Sequence, residues 1–300
     1  MTEPKAIPTC KAPDPHPRPP QHRPLPGACD THCHVFGPQD RFPYASGRAY
    51  TPPDAPLEGL QHVHDILGID RAVIVQASCH GSDNTAMLDA VGRGQGRYRG
   101  VAMVAGHETG ADYAALHAGG VRGVRFNFVR HLGGVPDLGL FDTTVDRLAE
   151  LGWHVVLHLD ADDILTHQDR LRRLRIPFVI DHMGRVRTVA GLHQAPFQAL
   201  LALLAEGQAW VKVCGPERIS AGAPFLDAVP FVQALVEAAP DRTLWGTDWP
   251  HPNITGDMPH DGHLLDLFHL AIPDEARRQA VLVDNPSRLY WATSSGAGKP

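Results

Sequence analysis

Several features that mark whole protein classes are missing from this sequence. It has no run of about 18 apolar residues, so no membrane-spanning helix is expected. The first residues hold no basic segment leading into an apolar core, so no secretory signal is expected either. The five cysteines, Cys10, Cys29, Cys33, Cys79 and Cys214, form no CxxC pair. Their odd number does not suit a disulfide framework, and a reducing cytoplasm is the expected location. Positive charge is not in excess: 27 basic against 33 acidic residues leave a net charge of −6, which argues against a nucleic-acid partner. No GxGxxG follows an early apolar run, so a dinucleotide fold gains no support. What is present is a 300-residue chain, 43% hydrophobic, with material for a sizeable core and a composition suited to a small-molecule enzyme.

Residues 1–27 hold nine prolines and no apolar periodicity, which predicts an extended or disordered arm. Such an arm is free to hang loose or to lie on a neighbouring subunit of a homo-oligomer. The tail, 294–300, is expected to be loose as well. Between them, residues 28–293 read as one domain. Eight short apolar runs recur there: Ala28 to Val35, Ala72 to Gln76, Gly100 to Val104, Gly123 to Phe128, His154 to Leu159, Phe178 to His182, Trp210 to Cys214 and Leu244 to Asp248. Several gaps carry helical spacing, as in Leu57, Leu60, Val63, His64 and Leu67. Eight strands alternating with helices predict an α/β fold of the (β/α)8 TIM-barrel type. The segment from Gly37 to Pro56 is long for a strand-to-helix connection and is placed to cover the barrel mouth.

Side chains alternate along a strand, so His32 and His34 in Asp30-Thr31-His32-Cys33-His34 face one side. With 19 histidines in the chain, such a pair can arise by chance. Its significance comes from the other strand ends, which in a barrel line the active site. Strand five carries His158, strand six ends in Asp181-His182 and strand eight in Thr247-Asp248-Trp249. Three imidazoles and a carboxylate suit a borderline metal such as zinc, with one position open for a water that attacks a carbonyl. Taken singly, each has an ordinary reading. A lone histidine is commonly a core group, His154 shares the parity of His158, and Asp248 could cap a helix or form a turn before Pro250. Their joint placement at successive strand ends favours a site. Arg125 and Asn127 share parity on strand four, Ser78 lies beyond strand two and Arg218 follows strand seven. Arginine forks grip carboxylates, which points to an anionic substrate, although either arginine could instead pair on the surface. Strand four offers no lysine to bridge two metals, so a single metal is expected.

The segments CDTHCHVFGP, VIVQASCHGSDN, GVRFNFV, VIDHMGR, KVCGPERIS and GTDWPHPN run from about residue 28 to Asn253. They resemble the metal-dependent hydrolases of the amidohydrolase superfamily, and within it the 2-pyrone-4,6-dicarboxylate lactonases. The resemblance implies a barrel that opens the ring ester of a small anionic lactone from aromatic-compound catabolism. It implies Asp248 as the base that activates water, with His32, His34 and His182 around the scissile carbonyl. It further implies Tyr50, Ser78, Arg125, Arg218 and Asn253 as substrate-holding residues, a set that Asn127 and His131 extend. Two positions depart from the pattern: His158 stands where those lactonases carry a tyrosine, and His131 where they carry a second arginine. The lactonases can work without a metal. His158 restores the strand-five histidine of the mononuclear members, so one divalent metal, zinc before manganese, is expected on His32, His34, His158 and Asp248, with His182 beside the water. His131 weakens one anion contact, which brings a 4-sulfomuconolactone type of substrate alongside the pyrone dicarboxylate. A metal-dependent non-oxidative decarboxylase of an aromatic or unsaturated carboxylic acid is the alternative activity, and a ligand-binding barrel without catalysis the other.

Overall fold

The computed structural model describes residues 6–254 and 256–292. The tail expected to be loose, 294–300, lies outside them. The eight apolar runs become eight parallel strands: β1 (Cys29–Cys33), β2 (Arg71–Val75), β3 (Tyr98–Ala102), β4 (Val121–Asn127), β5 (His154–His158), β6 (Phe178–Ile180), β7 (Ala209–Lys212) and β8 (Thr243–Leu244). They pair in sequence order, β1 to β8, as a parallel barrel does when each crossover returns beside its own strand. Helices α1 (Leu57–Leu67), α2 (Thr85–Arg93), α3 (Gly110–Ala118), α4 (Leu138–Leu151), α5 (Ala161–Arg172), α6 (Ala195–Ala205), α7 (Val229–Ala238) and α8 (Asp261–Ala271) alternate with the strands. In α1 the buried residues are Leu57, Leu60, Val63, His64 and Leu67, the stripe anticipated from their spacing. The helix stops at Gly68, whose φ of 81° is open to glycine without a Cβ penalty.

Alternate strand residues point inward. Cys29, Val73, Val75, Val101, Val156, Val179, Trp210 and Leu244 form one packed cluster, separate from the residues that meet the helices. Tyr290, from the C-terminal helical segment, joins this cluster and meets the His154 ring edge-on, 4.9 Å between centroids. Among the described residues, no helix is long and apolar enough to cross a membrane.

The barrel closes through hydrogen bonds beyond the end of β8. The Thr31 amide donates to the Trp245 carbonyl (2.9 Å), the Asp248 amide to His32 (2.7 Å) and the His34 amide to Trp249 (2.8 Å). Closure therefore carries Asp248 to the side of both histidines. Asp30 reinforces it: its carboxylate accepts from the His32 and Thr247 amides, the Thr247 hydroxyl and His64 Nε2. Gly246 permits this approach, since a Cβ there would stand 2.6 Å from the His32 nitrogen.

Each strand differs from its anticipated span at one or both ends, and three of them matter most for the site. β3 begins at Tyr98 rather than Gly100, β6 stops at Ile180 and β8 is only two residues long. Past the ends of the last two, the chain turns with left-handed backbone, at His182, Met183, Gly184 and Arg185 in one case and at Asp248 in the other. Positive φ at non-glycine residues costs about 1–3 kcal/mol each and gathers where a site dictates side-chain direction. The segment from Gly37 to Pro56 carries no helix or strand beyond a bridge between Phe36 and Ala55, and it buries Tyr50. The described part of the proline-rich arm has a single bridge, from Thr9 to Thr51 of that same segment.

Candidate active site

Asp248 is the point on which the site converges. Its Oδ2 accepts from Arg218 Nε at 2.5 Å and from Arg218 Nη2. Its Oδ1 has no hydrogen-bond partner and faces His34 Nε2 at 3.4 Å, His32 Nε2 at 3.5 Å and His182 Nε2 at 4.0 Å. All four residues are buried. Burial alone would raise the Asp248 pKa, but the Arg218 guanidinium and the neighbouring imidazoles outweigh it and hold the carboxyl well below the usual range.

Each imidazole is oriented from behind. His34 Nδ1 donates to the Val75 carbonyl (2.8 Å), which leaves a lone pair on Nε2. His32 Nδ1 lies 3.2 Å from Asp181 Oδ1 and 3.0 Å from Lys212 Nζ, and Lys212 and Arg125 also pair with Asp181 at 3.2 Å each. Burial lowers the His32 pKa to about 4, so its ring is neutral at pH 7. His182 Nδ1 meets the Cys214 thiol at 3.3 Å. Burial also pushes His182 and His158 well below the ordinary histidine value.

One cavity gathers the anticipated substrate residues. Tyr50, Ser78, Arg125, His131, Arg218 and Asn253 line it together with His34, His158, His182 and Asp248. Tyr50 comes from the covering segment and stands 3.5 Å from the Ser78 hydroxyl. His131 sits at the exposed rim. Asn127 is not in the lining: its amide oxygen accepts from His158 Nδ1 at 3.1 Å. His158 therefore carries its proton on Nδ1 and presents a bare Nε2. Its ring packs against His182, 5.2 Å between centroids, but it lies outside the ligand-spaced trio of His32, His34 and Asp248.

Sequence reasoning gives no role to three groups found here. Lys212 is fully buried inside the barrel on β7, Asp181 sits behind His32, and Arg185 lines the cavity while Asp160 holds its Nε at 3.0 Å. The available signal for Lys212 is its inward parity with Trp210 in an otherwise apolar run.

The amidohydrolase family profile matches residues 29–291. The chain is 44% identical over 286 residues to a 2-pyrone-4,6-dicarboxylate hydrolase of Comamonas testosteroni, covering 92% of this chain and 94% of that one. It is 42% identical over 294 residues to a 4-sulfomuconolactone hydrolase of Hydrogenophaga intermedia, covering 97% of each. Among solved structures, one described as a probable 2-pyrone-4,6-dicarboxylic acid hydrolase of Acinetobacter baumannii with citric acid bound superposes with a TM-score of 0.79 at 28% identity, over 89% of this chain and 100% of that one. This chain is a member of the amidohydrolase family, with the (β/α)8 barrel on which that family builds its sites.

Proposed function

We propose that the protein hydrolyses the ring ester of a small anionic lactone, with Asp248 as general base. The observation that carries this reading is the division of the Asp248 carboxylate: Arg218 holds one oxygen, and the other, unpartnered, faces three imidazoles in a cavity lined by cations. Two curated relatives, matched along nearly their whole length, are named for lactone hydrolysis and support it.

The substrate anion has three guanidinium groups to meet, on Arg125, Arg185 and Arg218. Arg125 and Arg218 are each tied to a buried carboxylate, which fixes their direction. Asp248 is ionised at neutral pH, but a carboxylate held this acidic is a weak base. A substrate anion that shares Arg218 loosens that hold and raises the basicity of Oδ1 as the ligand arrives. Oδ1 then takes the proton of the attacking water. With the Cys214 thiol donating to His182 Nδ1, the His182 proton lies on Nε2, facing the cavity, where it stabilises charge developing on the carbonyl oxygen. His158 Nε2 stands beside it as an acceptor.

A divalent metal fits His32, His34 and Asp248. Ligand atoms about 2.1 Å from a tetrahedral zinc stand about 3.4 Å apart, and the 3.4 and 3.5 Å separations from Asp248 Oδ1 match that edge. An ion held there would lower the pKa of water and polarise a carbonyl. His32 can join only when its proton sits on Nδ1 towards Asp181, which frees Nε2. His158, included in the ligand set on sequence grounds, serves in this reading as an acceptor behind the trio.

Incubation with 2-pyrone-4,6-dicarboxylate, 4-sulfomuconolactone and matching aromatic carboxylates tests the activity. Loss of a lactone with acid release and no carbon dioxide is expected. Carbon dioxide from a carboxylate, with every lactone intact, would establish the decarboxylase instead.

A further inference from the structure

We propose that residues 8–14 of the proline-rich arm form a strap that positions the two loops carrying Tyr50 and Asn253, with Cys10 as its positioning residue. The inference rests on reading those two side chains as substrate contacts. The strap meets the Tyr50 loop through backbone: the Cys10 amide donates to the Thr51 carbonyl at 3.0 Å, and the Thr51 amide to Pro8 at 2.8 Å. It meets the Asn253 loop through the Cys10 side chain. The thiol donates to Asn253 Oδ1 at 3.5 Å, and the Asn253 amide donates back to the sulfur at 3.4 Å. Further along, Lys11 Nζ donates to the Gly256 carbonyl and His260 Nδ1 pairs with Asp14 at 2.6 Å.

The strap bears on two features of the cavity wall. Asn253 holds a left-handed φ of 64°, and such a conformation persists where surrounding contacts over-determine it. The Tyr50 loop has no helix or strand of its own, its phenol meets the Ser78 hydroxyl at a long 3.5 Å, and the residue after Tyr50 is the one the strap clasps. Four of the five cysteines are buried in the barrel, whereas Cys10 is half-buried where the two loops meet. One residue thus joins two walls of the cavity that are about 200 positions apart in sequence, and a small displacement of either wall weakens substrate positioning.

Full-length Cys10→Val, Cys10→Ser and Asp14→Ala proteins test the strap by hydrogen exchange over residues 44–54 and 249–254 and by lactone kinetics. Cys10→Val is expected to speed exchange in both segments and raise KM about tenfold with kcat within about twofold. Serine, which can both donate and accept, restores the wild-type values. Asp14→Ala speeds exchange to a smaller extent. Unchanged exchange in both the valine and alanine proteins overturns the strap, and faster exchange with an unaltered KM overturns the positioning role. If the wild-type protein opens no lactone, the functional reading fails and the exchange data still decide the strap.

Discussion

Arg218 and Asp248 form an ion pair in which the guanidinium engages only Oδ2, leaving Oδ1 to His32, His34 and His182. Asp248→Asn keeps the shape of the side chain and removes the base. Its kcat should fall by about a hundredfold to ten-thousandfold, with an unchanged melting temperature showing that the fold survives.

Arg218→Met removes the charge that holds Asp248 acidic. The carboxyl pKa should rise, so the acid limb of the kcat/KM profile should move to higher pH, alongside a higher KM. A full pH–rate profile of the two proteins measures both effects.

Arg185 pairs with Asp160, whose side chain is 35% exposed, so among the three cavity arginines its partner is the one nearest solvent. Arg185→Met should raise KM for a dianionic lactone about tenfold to a hundredfold, the value of one charged hydrogen bond. A monoanionic lactone, assayed in parallel, should respond less.

Metal content separates the two ligand sets. His34→Ala should lose bound metal, and Asp181→Asn should weaken it about tenfold to a hundredfold by releasing the His32 tautomer. His158→Ala should retain it. Elemental analysis of the purified variants reads all three.

His251 links the Asp248 loop to α8. Burial opposes its charge, but Asp261 at 3.0 Å and Glu217 at 3.5 Å outweigh burial and push its pKa up to about 10 from 6.5. A raised histidine pKa stabilises the fold fully below the unfolded value and loses that contribution as pH climbs towards the folded one. The melting temperature should fall between pH 7 and 10, and His251→Gln should lower it at pH 7 and flatten the slope.

The barrel was legible because apolar runs of period two and helical stripes report burial, and burial decides both element types. The same parity placed His32 with His34 and Arg125 with the cavity. Parity cannot distinguish the two ends of a strand, so His154 reads like His158 although it lies against Tyr290. Nor does it reach past the ladder, and the left-handed turns that aim His182, Arg185 and Asp248 have no periodic signature. Lys212 was hidden for another reason: a lysine inside a barrel is tolerable only beside Asp181, and that pairing spans two strands.

Turnover of the lactone in water enriched in oxygen-18 tests water attack at the ring carbonyl most directly. Mass spectrometry should find one labelled oxygen in the newly formed carboxylate, at a rate that collapses in Asp248→Asn. An opened product without label, or labelling at an undiminished rate in Asp248→Asn, would contradict hydrolysis driven by this base.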